Sequence, residues 1–159
     1  MTDQNWVVIE RTFAAPAEAV WKMWAESEHF AAWYGPHGAT IPVADMDVQV
    51  GGRRLICMEM QTPDGPMKMW FTGEFTEVVP HERLVYTDAM ADEDGTPRTP
   101  ESMGMPTDAS MHTEVVVELT ADGDNTRMTM THVGVPADSP GGMGWNMAID
   151  KLQTCITAQ

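Results

Sequence analysis

The stretch 140–156, PGGMGWNMAIDKLQTCI, decides the fold because it predicts one long helix after a run of strands. Its apolar side chains recur with the three- and four-residue spacing of an amphipathic helix, at Trp145, Ala148, Ile149, Leu152 and Ile156. Ser139 is placed to cap the first turn. A single helix that follows several strands in the sequence usually covers one face of their sheet. We therefore expect the strands to wrap around this helix. Whether the space between them is filled or hollow is then the question for function.

Stretches that are apolar and rich in β-branched residues precede this helix. The predicted strands cover residues 6–13, 40–50, 53–61, 67–79, 84–89, 111–119 and 126–133. Two short helices separate the first two strands: one begins after Ala15-Pro16, and Ser27 caps the other. Gly51-Gly52 predicts a two-residue hairpin turn between the second and third strands. The order β-α-α-β-β-β-β-β-β-α predicts an α+β fold and, over residues 1–159, a single domain.

Alternation along the strands assigns one face of the sheet to the interior, because successive side chains point to opposite sides. This face carries Ile56, Met58, Met60, Met69, Phe71, Phe75, Thr113, Val115, Val117, Leu119, Met128, Met130 and His132. The predicted interior is therefore apolar and rich in Met, of which the chain has 15. Met adapts to irregular apolar space, so a loosely packed core and a pocket that reshapes around a ligand both agree with the pattern.

The charge of the chain limits its partners. The formal net charge is −15, from 24 acidic and 9 basic side chains. A surface this acidic repels phosphate backbones and anionic lipids, so we expect neither nucleic acid nor a membrane as a partner. Met1 is followed by no basic and apolar signal pattern, which favours a cytoplasmic location. Cys57 and Cys155 lie in apolar patterns and are expected to be buried free thiols.

Residues 90–110, MADEDGTPRTPESMGMPTDAS, predict a long polar loop rich in Pro and Gly. Loops of this length are usually functional or disordered. The methionines Met103 and Met105 favour an apolar lid over a cavity, and their use as soft-metal ligands is the weaker interpretation. The acidic run 92–94 lacks the ordered spacing of a calcium loop and predicts a solvated turn. We therefore expect no metal site.

Six short motifs occur in an order that resembles one known family. They are AP with VW at 15–21, WYGP at 33–36, Asp47 with GGR at 51–53, Gly73 with EVVP at 77–80 and ERLV at 82–85, TRMTMTH at 126–132, and GW with Leu152 at 144–152. They resemble proteins similar to the C-terminal domain of the activator of heat-shock protein 90 ATPase, within the START-like or SRPBCC superfamily. The resemblance covers residues 7–156. It implies a helix-grip fold, in which a curved antiparallel sheet of about seven strands wraps a long C-terminal helix.

Departures from the family's pattern bear on function. The chain has no room for the separate N-terminal domain of the eukaryotic activators, which weighs against chaperone activation. Arg54 stands where the family often has an aromatic residue, and it adds a polar group at the edge of the expected pocket. Since one fold hosts many functions, the resemblance supports the fold more strongly than any activity.

His132 is the main polar candidate, because it ends a strand whose inner face carries Met128 and Met130. A His there can bond a polar ligand group or act as an acid or base near neutral pH. The alternative is a His that is bonded to neighbouring backbone at the end of the strand. Arg54 and Tyr86 are further candidates to orient a polar head group if they point inward, and an outward position is equally open.

Aromatic residues near loops and helix starts are candidates for the mouth of a pocket, with core packing as the alternative. The complete set of predicted cavity residues is Trp33, Tyr34, Arg54, Ile56, Met58, Met69, Phe71, Tyr86, Met105, Val117, Met130, His132, Trp145 and Ile149. The sequence has no Ser-His-Asp arrangement in a nucleophile-elbow context, no Gly-rich phosphate loop and no CxxC motif. We therefore assign no catalytic residue and expect no cofactor.

The sequence favours a binding module whose ligand is a small hydrophobic or amphipathic molecule, held between the sheet and the last helix. Two alternatives stay open. One is an enzyme of the polyketide cyclase or hydrolase type, which the resemblance also admits and which needs His132 or a carboxylate inside the cavity. The other is a module that binds a chaperone or another basic protein partner, or that forms a homodimer.

Overall fold

The strand and helix patterns of the sequence form elements in the predicted order. A computed structural model describes residues 6–96, 112–138 and 140–157. The elements are β1 Trp6–Phe13, α1 Ala17–Ala25, α2 Ser27–Trp33, β2 Thr40–Met46, β3 Arg53–Thr62, β4 Gly65–Val79, β5 Arg83–Ala91, β6 His112–Asp122, β7 Asn125–Pro136 and α3 Pro140–Thr157.

The strands form one antiparallel sheet in the order β1-β7-β6-β5-β4-β3-β2. Because β1 pairs with β7, α1 and α2 carry the chain from one edge of the sheet to the other. The C-terminal helix α3 packs against α1, α2, β1 and β7, and its predicted apolar side chains are all buried. This arrangement confirms the α+β helix-grip fold.

The junction of α1 and α2 corrects the predicted cap of the second helix. Glu26, and not Ser27, is the N-cap residue of α2, and no side chain caps this helix. The reason lies in α1, since the backbone N–H of Glu26 donates to the carbonyl of Lys22 at 3.0 Å and closes that helix. One residue therefore ends the first helix and begins the second, and Ser27 falls inside the first turn. The other predicted cap, Ser139, lies outside the described residues.

The connection between β2 and β3 is longer than the predicted two-residue hairpin. Strand β2 ends at Met46, so residues 47–52 form a six-residue turn. Within it the N–H of Gly52 donates to the carbonyl of Gln49 at 2.8 Å, and the N–H of Gly51 donates to the carbonyl of Phe75 at 2.8 Å. The prediction of a strand through residue 50 is wrong because these hydrogen bonds draw the backbone out of the ladder and towards β4.

Strand β1 has its predicted bounds, whereas β3, β4, β5, β6 and β7 extend beyond theirs at one end or both. Strand β5 continues to Ala91, so the predicted loop at 90–110 begins only at residue 92. Residues 92–96 form a tight turn, in which the N–H of Gly95 donates to the carbonyl of Asp92 at 2.9 Å. This turn confirms the solvated acidic segment. The predicted lid, with Met103 and Met105, lies outside the described residues.

An aromatic cluster fills the interior between α1, α2 and the start of α3. It comprises Trp24, Phe30, Trp33, Tyr34 and Trp145. Ring centroids are 4.7 Å apart for Trp24 and Trp33, and 4.6 Å apart for Phe30 and Tyr34. The indole N–H of Trp33 donates to the carbonyl of Met23 at 2.7 Å, so its one polar atom is satisfied inside the core. The rings of this cluster contact one another and are buried, so they form one part of the core.

Both cysteines are free; Cys57 is buried and Cys155 is only half-buried. No helix in the described part of the chain is long and apolar enough to cross a membrane.

Candidate functional site

A cavity of about 260 Å³ lies beside the aromatic cluster, between the sheet and the first turns of α3. Strands β3, β4, β5 and β7, helix α3 and the loop after α2 contribute its wall. The wall consists of Tyr34, Gly35, Pro36, Met58, Met60, Met69, Phe71, Asp88, His132, Val135, Gly144, Trp145 and Ala148. Methionines and aromatic rings dominate it, so most of the surface that a ligand would meet is apolar.

The loop after α2 is held against α3 by one lysine. The Nζ of Lys151 donates to the carbonyl of Pro36 at 3.2 Å and lies 3.5 Å from the carbonyl of Tyr34. Lys151 sits between α3 and the loop, and partial burial lowers its pKa. Because the two carbonyls belong to cavity-wall residues, this contact fixes one side of the cavity to the C-terminal helix.

The polar end of the cavity is a buried ion pair. Nη1 of Arg54 lies 3.1 Å from Oδ1 of Asp88, and the two side chains are only 1% and 8% exposed. The guanidinium lies over the ring of Tyr86, with its carbon 4.0 Å from the ring centroid. Nε and Nη2 of Arg54 and the hydroxyl of Tyr86 are buried without a hydrogen-bond partner among the described residues. Buried polar groups without partners lower the free energy of unfolding. The polar groups at this end of the interior therefore destabilise the fold.

Burial and the ion pair set the protonation of the groups around this end. Burial raises the pKa of the Asp88 carboxyl, while the charge and hydrogen bond of Arg54 lower it. Burial, followed by the charge of Asp88, raises the pKa of Tyr34 well above its usual value, and burial also raises the pKa of Tyr86. Both phenols therefore stay protonated at neutral pH and can donate hydrogen bonds.

His132 lies in the cavity wall, and both of its ring nitrogens are engaged. The indole N–H of Trp145 donates to Nδ1 at 2.7 Å, and Nε2 lies 2.7 Å from Oγ1 of Thr113. The hydroxyl of Thr113 in turn donates to the carbonyl of Asp88 at 3.0 Å. Since Nδ1 must accept, the proton of the neutral ring is on Nε2, which donates to Thr113. The hydrogen bonds therefore form one continuous chain from α3 through β7 and β6 to β5.

The burial of His132 keeps its ring neutral at neutral pH. Burial, and secondarily the positive charge of Arg54, lower the pKa of His132 from 6.5 to about 4. The predicted alternative of a His bonded to neighbouring backbone is wrong, because its partners are the side chains of Thr113 and Trp145. Acid–base work by His132 would require one of these two hydrogen bonds to break first.

Six of the predicted cavity residues lie in the wall: Tyr34, Met58, Met69, Phe71, His132 and Trp145. Six others are buried but do not line the cavity: Trp33, Ile56, Tyr86, Val117, Met130 and Ile149. Arg54 is not in the wall either and reaches the cavity only through Asp88. Met105 lies outside the described residues. These six residues and Arg54 are buried, which settles the open orientation of Arg54 and Tyr86 as inward, but they do not border the cavity.

Sequence reasoning missed Asp88 and, on α3, Gly144 and Ala148. Asp88 follows Leu84 and Tyr86 at intervals of two on β5, and this spacing places it on the inner face. The spacing of two could have identified Asp88 from the sequence. It was missed because a carboxylate after apolar residues usually indicates that a strand is ending. Gly144 has no side chain and Ala148 only a methyl group, so both leave room in the cavity that larger residues would fill.

A second cleft, more polar than the cavity, lies at the 47–52 turn. Its lining includes Asp45, Asp47, Arg53, Thr72 and Asp94. In the described residues, no three His, Cys, Asp or Glu side chains are grouped so that they could hold a metal ion. The cleft therefore offers no metal centre built from those residues.

Comparison with known proteins agrees with this geometry. The family model described as Activator of Hsp90 ATPase homolog 1-like protein matches residues 14–157. A solved structure from Mycobacterium smegmatis is 26% identical, with a TM-score of 0.77 over 100% of this chain and 96% of that chain. One from Nitrosomonas europaea is 24% identical, with a TM-score of 0.76 over 99% and 98%. The AHSA1 protein from Silicibacter pomeroyi is 20% identical, with a TM-score of 0.71 over 95% and 96%. No curated protein matches the sequence.

Proposed function

This chain belongs to the Activator of Hsp90 ATPase homolog 1-like family, and we propose that it binds a small hydrophobic or amphipathic molecule in the cavity between its sheet and its C-terminal helix. The observation that carries the proposal is the cavity itself, about 260 Å³ lined by methionines and aromatic rings, with one carboxylate at its polar end. An apolar pocket with few polar groups is the usual form of a small-molecule site.

The volume of the cavity limits the size of the ligand. An apolar cavity of about 150 Å³ holds benzene, so this one has room for roughly ten non-hydrogen atoms. Each buried CH₂ group contributes about 0.8 kcal/mol, and eight of them contribute about 6 kcal/mol. Part of this is lost when the ligand is immobilised, so we expect dissociation constants of about 0.1 to 1 mM. The four methionine and phenylalanine side chains from β3 and β4 can adjust to different ligand shapes.

The test is to fill the cavity from α3. A Cβ added at Gly144 would meet no other atom within 4 Å, and this residue lies in the cavity wall. Gly144→Leu should therefore place its side chain in the cavity and abolish binding of octan-1-ol, measured by isothermal titration calorimetry. Gly144→Ala takes little space and should keep binding, while the better helix former adds up to about 1 kcal/mol to the free energy of unfolding.

A neighbouring position supplies the matched control. Met143 lies on the same helix, but its side chain is 63% exposed and is not in the cavity wall. Met143→Leu should bind octan-1-ol with the affinity of the unchanged protein. If Gly144→Leu is folded and still binds octan-1-ol as tightly as Met143→Leu does, the ligand is not in this cavity and the proposal is wrong.

A further inference from the structure

We propose that Asp88 makes this cavity selective for ligands whose polar end is an uncharged hydrogen-bond donor, such as an alcohol or a phenol, over ligands that end in a carboxylate or phosphate. The inference rests on the proposed function and names the class of molecule that the cavity takes. It starts from the two oxygens of Asp88. Oδ1 accepts a hydrogen bond from Arg54, and no donor among the described residues bonds Oδ2. Because Asp88 belongs to the wall, its carboxylate is the acceptor that the cavity presents.

Apart from the hydroxyl of Tyr34, the donors that the described residues place around the cavity are already used. The N–H of Trp145 donates to His132, and the Nε2 proton of His132 is taken by Thr113. Lys151 donates to the backbone carbonyls of the loop after α2. A ligand that needs several donors, as a carboxylate or a phosphate does, would have to break these bonds.

Arg54 does not change this preference, although two of its nitrogens have no partner. Nε and Nη2 are fully buried, and Arg54 is absent from the cavity wall, so a ligand in the cavity meets Asp88 first. An anionic head group would lie against the Asp88 carboxylate with no cation within direct reach. The net charge of −15 on the whole chain opposes anions further.

A hydroxyl group suits the remaining polar atoms. Asp88 can accept its proton, and the phenol of Tyr34, which stays protonated, can donate to its oxygen. A cationic amine gains less, because the charge of Asp88 is already compensated by Arg54 at 3.1 Å. An uncharged donor therefore uses both polar groups without disturbing the ion pair.

Three probes of similar size test the inference by calorimetry: octan-1-ol, 1-methoxyheptane and octanoate. The ether matches the alcohol in its non-hydrogen atoms but has no proton to donate. A hydrogen bond to a charged acceptor is worth a factor of about 10 to 100 in affinity, so the alcohol should bind that much more tightly than either competitor. Equal affinities for octan-1-ol and 1-methoxyheptane, or tighter binding of octanoate, would overturn the inference. If none of the three binds, the proposed function itself fails, and the inference fails with it.

Asp88→Asn reverses the polarity of the group at nearly constant shape. Its Oδ1 can still accept from Arg54, while its amide N–H₂ replaces the free oxygen in the cavity. The preference for the alcohol over the ether should fall to less than threefold, and octanoate should bind more tightly than it does to the unchanged protein. Asp45→Asn removes the same charge from an exposed position outside the cavity and should leave the order of affinities unchanged.

Loss of the charge on Asp88 leaves Arg54 buried without a counter-charge, so a second variant guards against failure to fold. Arg54→Met combined with Asp88→Leu replaces the whole ion pair by apolar side chains, which proteins often tolerate. This double variant should bind the ether at least as tightly as the alcohol. An alcohol preference that persists in both Asp88 variants would overturn the inference, because another group would then supply the acceptor.

Discussion

At His132, burial and hydrogen bonding favour the same protonation state. A protonated ring would carry hydrogens on both nitrogens, and the one on Nδ1 would point at the N–H of Trp145. Charging the ring therefore costs a hydrogen bond as well as desolvation. The same bond positions Trp145 in both the cavity wall and the aromatic cluster, so the protonation of one side chain on β7 is coupled to the position of α3.

The lowered pKa of His132 predicts a loss of stability in weak acid. In the unfolded chain His132 takes up a proton near pH 6.5, whereas in the folded protein it does so only near pH 4. Between these values the unfolded state binds more protons, so the free energy of unfolding should fall as the pH is lowered from 6.5 to 4 and gain no further slope from this residue below 4. At about 1.4 kcal/mol per pH unit the loss reaches at most about 3.5 kcal/mol. Urea unfolding at a series of pH values measures it.

Other groups titrate in this range, so the contribution of His132 is taken from the difference between variants. His132→Gln cannot take up the proton and should show a flatter profile between pH 6.5 and 4. His37 is exposed and forms no ion pair among the described residues, so His37→Gln should keep the slope of the unchanged protein. A slope that survives in His132→Gln would mean that the acid sensitivity arises elsewhere.

On the scale of the strand, the sequence predicts which way a side chain points but not how much space lies beyond it. Ile56 and Met58 are on the same face of β3, and both point inward as the alternation predicts. Only Met58 borders the cavity, because Ile56 is covered by the core. The side chains that cover a strand residue belong to other elements, here α1, α2 and α3. The alternation along one strand does not reveal where those elements pack.

Several boundaries of strands and helices were also not predicted correctly, because they too depend on contacts with other elements. Strand β2 stops at Met46 because the following turn bonds to Phe75 on β4, which is not adjacent in sequence. Asp88, by contrast, was predictable in position from the alternation on β5, and only its pairing with Arg54 needed the fold. The order of elements and the direction of side chains thus come from local patterns, while boundaries and partners come from contacts distant in sequence.

Gly73 on β4 allows the strand that carries Asp88 to come close. A Cβ at this position would lie 1.9 Å from the carbonyl oxygen of Thr87 and 3.4 Å from Cγ of Arg54. Since the first of these is a backbone atom, Gly73→Ala must displace β5 and should lower the free energy of unfolding by about 2 kcal/mol or more. Urea unfolding followed by tryptophan fluorescence measures the change.

The same substitution at Gly144 is the matched control, because a Cβ there meets open space. Gly144→Ala should leave stability unchanged or raise it. If Gly73→Ala is as stable as Gly144→Ala, then β4 and β5 do not depend on close approach at this point. A large loss at Gly73 alone would indicate that the distance between these strands, and with it the position of the ion pair, is fixed by the absence of one side chain.

For the whole molecule, the cavity depends on parts of the chain that are far apart in sequence. The loop after α2, the central strands and the first turns of α3 each supply one side of it. The family resemblance predicted this arrangement, since the helix-grip fold places the last helix over the sheet. The resemblance did not predict that the aromatic cluster fills one part of the interior and confines the hollow to about 260 Å³.

The net charge of the chain predicts that its stability depends on the salt concentration. With a net charge of −15, the acidic side chains repel one another, and ion pairs such as Arg83 with Glu77 and Glu118 balance only a few of them. Raising the ionic strength from about 10 mM to 150 mM shortens the screening length from about 30 Å to 8 Å. This weakens the repulsion in the folded state, so the free energy of unfolding should rise by about 1 kcal/mol and the Tm by about 3 °C.

Differential scanning calorimetry in NaCl measures this shift, and a variant with fewer acidic groups checks its cause. Asp45, Asp64, Asp122 and Asp124 are exposed and lie outside the cavity wall. Changing all four to Asn removes four negative charges, so the variant should have a higher Tm at low salt and a smaller rise with NaCl. Were the salt response equal in both proteins, it would come from salting-out of apolar surface, which acts whatever the net charge. A reduced response would instead show that long-range repulsion between these carboxylates opposes the folded state.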